Sequence, residues 1–188
     1  MKAIILSAGE GSRMRPLTIT KPKTMLPVVG KPIIQYNIEA LKENGVTDIL
    51  LIVRYKEDIV KNYFGDGSEF GVNITYKTQK DFLGTANAIS YGEDFIDDSL
   101  LVLNGDIILE YDIIEEIIDK YNRLKPDTLM VLTEVEDPSA FGVVEVDGML
   151  GQLLQAFVGG LSLFGIHILG IDDFVPYLFP GGLLLGGS

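Results

Sequence analysis

Three short apolar runs constrain this chain most. Ala3-Ile4-Ile5-Leu6, Ile49-Leu50-Leu51-Ile52-Val53 and Leu100-Leu101-Val102-Leu103 contain no polar residue. Each is too short for a core helix, and none alternates as a strand with one wet face would. They read as strands buried on both faces. Stretches of helical spacing lie between and after them. Ile33, Ile34, Asn37, Ile38 and Leu41 form one stripe, stopped at Gly45, and Tyr55 to Phe64 forms a second, ended by Gly65-Asp66-Gly67. Thr85 to Tyr91 predicts a helix with small residues on one face, and Ile113, Ile114, Ile117, Ile118 and Tyr121 mark another. Asn73 to Lys77, Thr128 to Thr133 and Val143 to Val146 read as further strands. Buried strands alternating with amphipathic helices imply βαβ units, hence an α/β fold with a mostly parallel sheet covered on both faces. Such sheets bind ligands at the carboxyl ends of their strands, near a switch in strand order. The loops after Leu6, Tyr76 and Leu103 are therefore the places to look for a site.

Composition narrows the chemistry. The 188 residues fit one domain, and 27 acidic against 15 basic residues give a net charge of −12. That balance argues against nucleic acid as a partner, because phosphate neutralisation on that scale needs Lys and Arg in excess. It leaves room for a small anionic substrate held by a local positive site. The absence of Cys excludes disulfides and thiolate metal sites, and His167 is the single His. No leader pattern precedes the first strand, so a cytoplasmic location is expected.

The loop after the first strand carries the strongest signal. Residues 6–27 contain Ser7-Ala8-Gly9-Glu10-Gly11-Ser12, small residues whose backbone N–H groups can approach a phosphate chain closely. A dinucleotide fingerprint would need a third Gly where Met14 stands, and a P-loop would need Lys after its second Gly. Arg13, Arg15, Lys21 and Lys23 follow within a loop stiffened by Pro16, Pro22 and Pro27. A stiff, cationic, Gly-rich loop at a strand end suits a triphosphate better than a merely solvated basic turn.

This stretch resembles the signature of the sugar-1-phosphate nucleotidylyltransferases, Leu-x-Ala-Gly-x-Gly-Ser/Thr-Arg-Met/Leu-x-Pro-Leu-Thr-x-x-x-Pro-Lys-x-Met/Leu-x-Pro, with every fixed position met between Leu6 and Pro27. Gly30-Lys31-Pro32-Ile33-Ile34 is also similar to the family, and the similarity runs to about Gly148. The resemblance implies a Rossmann-like three-layer sandwich of the nucleotide-diphospho-sugar transferase type. It implies a reaction of an NTP, dTTP or UTP foremost, with a sugar 1-phosphate such as glucose 1-phosphate, giving an NDP-sugar and pyrophosphate. Nucleotide contacts would come from Leu6, Ala8, Gly9, Gly11 and Ser12. Arg13 would hold the β- and γ-phosphates and Lys23 the α-phosphate, as the catalytic cations. Gln79 and the Leu83-Gly84-Thr85-Ala86 segment match the family's base-recognition residues, which assigns Gln79, Gly84 and Thr85 to the nucleotide. Asp106, ending Leu103-Asn104-Gly105-Asp106, matches the family's Mg2+ ligand, and Gly142 in Phe141-Gly142-Val143-Val144 matches a backbone that faces the sugar. A homo-oligomer without membrane or nucleic-acid partners completes the expectation. Asp98, Asp112 and Asp119 read as ordinary surface or capping residues.

The resemblance weakens after Gly148. All 15 basic residues and 25 of the 27 acidic ones lie in residues 1–148, whereas 149–188 holds 9 Gly and 10 Leu. We read 1–148 as the nucleotidyltransferase core and 149–188 as an atypical tail, the incomplete sugar-binding part of the same domain. Met149 to Ile171 is uncharged, but its five Gly and scattered Gln and Ser make a membrane span a poor reading. Gln155-Ala156-Phe157 stands where the family has Glu-Lys-Pro, and Leu163-Phe164-Gly165 where it has Asn-Ala-Gly. Spacing kept with polar identity lost points to a tail whose residues are not the natural ones, or to a divergence that removes the sugar site. A chain with this tail is expected to bind NTP and to turn over poorly. The second metal carboxylate of the family is not matched here, and His167 reads as a strand residue. The alternative to an active enzyme is a catalytically impaired nucleotide-binding or regulatory relative. An NAD-dependent oxidoreductase is disfavoured because Val53 is followed by Arg54-Tyr55-Lys56 rather than a ribose-binding acid.

Overall fold

The computed structural model describes residues 1–81 and 83–131, together with the backbone of a strand at 167–170. In chain order the elements are β1 (Lys2–Ser7), the short hairpin β2 (Pro27–Val28) and β3 (Lys31–Pro32), α1 (Ile33–Glu43), β4 (Asp48–Val53), α2 (Glu57–Phe64), β5 (Asn73–Thr78), α3 (Thr85–Ser90), β6 (Ser99–Asn104), α4 (Tyr111–Leu124), β7 (Thr128–Met130) and β8 (His167–Gly170). All three apolar runs are central strands. The second helix starts at Glu57, two residues later than its apolar spacing suggested, because Lys56 in the left-handed region precedes it. The expected strand at 143–146, the site position Gly142, the domain boundary at 148 and the tail segments 149–166 and 171–188 lie outside the described residues.

The main sheet runs β5-β4-β1-β6-β8-β7. β5, β4, β1 and β6 are parallel, and β8 lies antiparallel between β6 and β7. His167 falls in β8, as a strand residue. Period-two geometry sends alternate residues of each central strand to opposite faces. Ala3, Ile5, Ile49, Leu51, Val53, Leu101 and Leu103 pack with Ile34, Ile38 and Leu41 of α1, Val60 and Phe64 of α2, and Ile114 and Ile117 of α4. Ile4, Leu50, Ile52, Leu100 and Val102 face the other way, onto Ala88 of α3 with Ile89, Tyr91 and Phe95. Burial on both faces is why these runs show no polar alternation. Among the described residues, no helix is long and apolar enough to cross a membrane.

One residue in the apolar stripe of α1 is polar for a reason the stripe does not reveal. Asn37 is fully buried; its Nδ2 donates to the Ile107 carbonyl at 2.8 Å and its Oδ1 accepts from the Leu109 amide at 3.3 Å. A loop leaving a buried strand has orphaned backbone groups, and this amide satisfies two of them. The loop so pinned is the one that follows Asp106.

Candidate active site

The strand order places the site. From β1 the chain steps outward on one side to β4 and then β5, and it returns to the other side of β1 with β6. The carboxyl ends of β1 and β6 therefore flank the switch in strand order, where the crossovers diverge and leave a crevice. Gly105 continues the β1–β6 pairing by donating its amide to the Leu6 carbonyl at 2.9 Å. Leu6, expected to touch the nucleotide, thus has its carbonyl committed to holding the two strand ends together.

The signature loop folds back over this crevice. Ser7 Oγ and Thr24 Oγ1 share a buried hydrogen bond of 2.7 Å, which ties the turn at Lys23–Met25 to the end of β1. Thr18 Oγ1 donates to the Gly11 carbonyl at 2.9 Å, and the Tyr55 hydroxyl donates to the carbonyls of Thr18 and Ile19 at 3.1 and 3.2 Å. Gly11 has φ +65°, and a Cβ there would lie 2.9 Å from Lys23 Cβ and 3.1 Å from Thr18 Cγ2. Its glycine is required by the loop's own packing. Gly9 differs: a Cβ there would meet no protein atom within 4 Å. Ala8 is buried, while Gly9, Ser12 and Arg13 are exposed on the same loop.

The four loop cations have different surroundings. Lys23 Nζ donates to Asp106 Oδ2 at 2.6 Å, bridging the β1 loop and the end of β6. Arg15 pairs with Glu10 within its own loop, so much of its charge is spent locally. Lys21 is partly buried and Arg13 exposed. Lys23 and Asp106 retain 34% and 39% of their side-chain surface, so the pair is open to a ligand. Among the described residues no group of three or more His, Cys, Asp or Glu converges.

The base-recognition candidates lie beyond β5. Gln79 follows the strand at 2% exposure, its backbone N–H donating to the Val53 carbonyl at 2.9 Å. The Tyr91 hydroxyl accepts from the amides of Lys80 and Asp81 at 3.0 and 3.3 Å, which fixes the turn after it. Gln79 Nε2 donates to Asn87 Oδ1 at 3.0 Å, on the first helical turn of α3. Gly84, just before α3, has φ +97° and ψ −174°, a backbone that side chains oppose, and a Cβ there would meet nothing within 4 Å. Thr85 is exposed at the helix start.

Sequence reasoning thus located Gly9, Gly11, Ser12, Arg13, Lys23, Gln79, Gly84 and Asp106 on loops at one end of the sheet, with Thr85 at the start of α3. It missed Asn37, Thr24, Tyr55 and Asn87, which hold those loops in place. Only Asn37 left a trace, as a polar residue in an apolar stripe.

Comparisons with known proteins bear on the family and the fold. The Haloferax volcanii low-salt glycan biosynthesis nucleotidyltransferase Agl11 is 40% identical over 96% of this chain and 53% of its own length. A Neurospora crassa mannose-1-phosphate guanyltransferase is 40% identical over 89% of this chain and 49% of its own. The chain therefore spans about half the length of these curated relatives. A Bacillus anthracis crystal structure, described as a glucose-1-phosphate thymidylyltransferase in complex with a sucrose, superposes with a TM-score of 0.78 at 29% identity, covering 93% of this chain and 73% of that one. A sequence model of the nucleotidyl transferase family matches residues 2–158. With that match over most of its length and the signature loop folded over the β1–β6 crevice, the chain belongs to the sugar-1-phosphate nucleotidyltransferase family.

Proposed function

We propose that this protein transfers a nucleotidyl group from an NTP to a sugar 1-phosphate, releasing pyrophosphate. The observation that carries the reading is the Lys23–Asp106 bridge across the switch in strand order, beneath a Gly-rich loop. A phosphate oxygen of the sugar 1-phosphate attacks the α-phosphorus in line; one P–O bond forms as the bond to the β-phosphate oxygen breaks. The attacking phosphate is already ionised, so no protein base is needed. The protein's work is positioning and charge stabilisation. Backbone at Gly9, Gly11 and Ser12 lies along the phosphate chain, and the bare Cα of Gly9 lets it come close. Lys23 meets the charge that builds on the α-phosphate, and Arg13 holds the departing β- and γ-phosphates.

The donor set suits Mg2+, which takes one or two carboxylates and completes its octahedron with water and phosphate oxygens, and it would not build an all-protein metal cage. Asp106 would hold the ion, which when bound supplies electrostatic neutralisation of the phosphates. Asp106 also orients the Lys23 ammonium toward the crevice.

The base reading rests on Gln79, whose amide can accept from a ring N–H and donate to a carbonyl, and on Gly84, whose bare backbone lets a flat ring pack. An imide base follows, and dTTP or UTP is the proposed donor. The guanyltransferase relative keeps GTP in the test set, since guanine also places a ring N–H beside a carbonyl. The sugar would be of the glucose 1-phosphate class, and the setting a cytoplasmic homo-oligomer.

Pyrophosphate release from a panel of NTPs, each with several sugar 1-phosphates, tests the reaction. Release with no combination, alongside measurable NTP binding, would favour a nucleotide-binding relative without turnover. Gln155-Ala156-Phe157, where the family has Glu-Lys-Pro, makes that the second reading.

Two variants test the roles within the site. Arg13→Ala is expected to weaken NTP binding about tenfold or more, the effect of losing a charged hydrogen bond, while nucleoside monophosphate binding stays unchanged. Equal weakening of both by calorimetry would remove Arg13 from the β- and γ-phosphates. Gln79→Ala should cut the preference between dTTP and CTP by about tenfold or more, because a site amide then no longer reads the base edge. An equal loss for every NTP would place Gln79 outside base recognition.

A further inference from the structure

We propose that Asn37 is a positioning residue for Asp106, acting by holding the backbone that carries the Asp106 carboxylate. The inference rests on the reading of Asp106 as the carboxylate that meets the ion and Lys23, and it adds what keeps that carboxylate in place. An aspartate side chain is short, so its carboxylate goes where its backbone goes. Lys23 instead carries its ammonium at the end of a long, flexible stem. In the 2.6 Å pair between them, Asp106 is therefore the half that the fold places, and Lys23 the half that follows.

The segment is pinned on each side of Asp106. On one side Gly105 donates its backbone N–H to the Leu6 carbonyl at 2.9 Å. Its Cα is packed so closely that an added Cβ would lie 2.8 Å from that carbonyl oxygen and 3.1 Å from Thr24 Cγ2. On the other side stands Asn37, fully buried in α1. Its Nδ2 donates to the Ile107 carbonyl at 2.8 Å, and its Oδ1 accepts from the Leu109 backbone N–H at 3.3 Å. The same Nδ2 lies 3.5 Å from the carbonyl of Asn104, the last residue of β6. One amide thus reaches the backbone before and after Asp106. Its close partners are backbone groups of opposite kind. The carbonyl can only accept and the N–H can only donate, so the amide has one satisfied orientation and no partner that turns with it.

The test is equilibrium binding of dTTP, UTP and GTP by calorimetry, in EDTA and in excess Mg2+. The readout is the ratio of Kd in EDTA to Kd in Mg2+; chelation of Mg2+ by free NTP is common to every variant and cancels. Asn37→Ala is expected to lower this ratio about tenfold, as when the support behind a metal ligand is lost, with Kd in EDTA within about twofold of the parent. Asn37→Ser keeps a polar group on α1 and should shift the ratio the same way, so the outcome does not hang on the fold of Asn37→Ala; thermal melting is the control. A merely structural role would weaken binding equally with and without Mg2+ and leave the ratio unmoved, which would overturn the proposal. Asp106→Asn separates the two levels. Added to it, Asn37→Ala should move the ratio by less than about twofold, because effects carried through one residue do not add. A further tenfold fall in the double variant would show that Asn37 acts apart from Asp106. If Asp106→Asn lowers the ratio and neither Asn37 variant does, the positioning role is refuted and the metal reading stands. If no variant moves the ratio, Asp106 does not hold the ion and both fall.

Discussion

Lys23→Ala is expected to lower turnover by about 10²–10³-fold while leaving the protein folded. The rate effect follows from removing a cation aimed at developing phosphate charge, which costs that much in comparable charge-stabilising positions. The fold should survive for two structural reasons. The Lys23–Asp106 pair keeps over a third of each side chain exposed, and ion pairs of that kind contribute only about 0–1 kcal/mol. The atom of Lys23 that would most closely crowd a side chain at Gly11 is Cβ, which alanine retains. Buried hydrogen bonding through Thr24 and Ser7 holds the turn independently. The measurement is single-turnover formation of labelled NDP-sugar, with thermal melting as the fold control. A rate within a few-fold of the parent in a folded Lys23→Ala protein would remove Lys23 from the chemistry.

Asp106→Asn tests the other half of the bridge. The amide is nearly isosteric, and Asn37 and Gly105 hold the surrounding loop through backbone contacts that do not involve the Asp106 side chain. Little change in melting temperature is therefore expected. Activity should fall by about two orders of magnitude, as for loss of a preorganised charge, and the Mg2+ concentration for half-maximal rate should rise. The variant also frees the Lys23 ammonium from its 2.6 Å partner, so NTP binding without metal should hold or tighten. This opposite sign for binding and turnover separates a metal-and-lysine role from simple damage. An unchanged Mg2+ titration in the variant would refute the assignment of Asp106 to the ion.

Much of the framework is legible in the sequence. Ile49–Val53 and Leu100–Leu103 announced buried parallel strands because residues covered on both faces have no wet side to mark with polar groups. The stripe at Ile34, Ile38 and Leu41 located α1, and the residues from Leu6 to Pro27 spelled a phosphate loop. These are local features. Each depends on residues a few positions apart, whose spacing alone sets which face they share. Boundaries were less legible: α2 begins at Glu57 because the chain must first turn through Lys56, and no apolar residue signals that turn.

The working geometry was decided elsewhere. Among four cations of one loop, the signature singled out Arg13 and Lys23, but charge type and spacing did not show what each cation would meet. In the fold Arg15 is taken up by Glu10 nearby, whereas Lys23 meets Asp106 from 83 residues away. That meeting depends on β6 returning to the far side of β1, a choice of strand order. Asn37 and Asn87 were likewise invisible as site residues, because an amide's role lies in which backbone or side chain comes to face it. The layers, the phosphate loop and the polar groups at the sheet's end follow from local patterns of residues. Which of those groups touch is settled by the fold, because contacts between distant segments depend on strand order and register, and no local pattern encodes either.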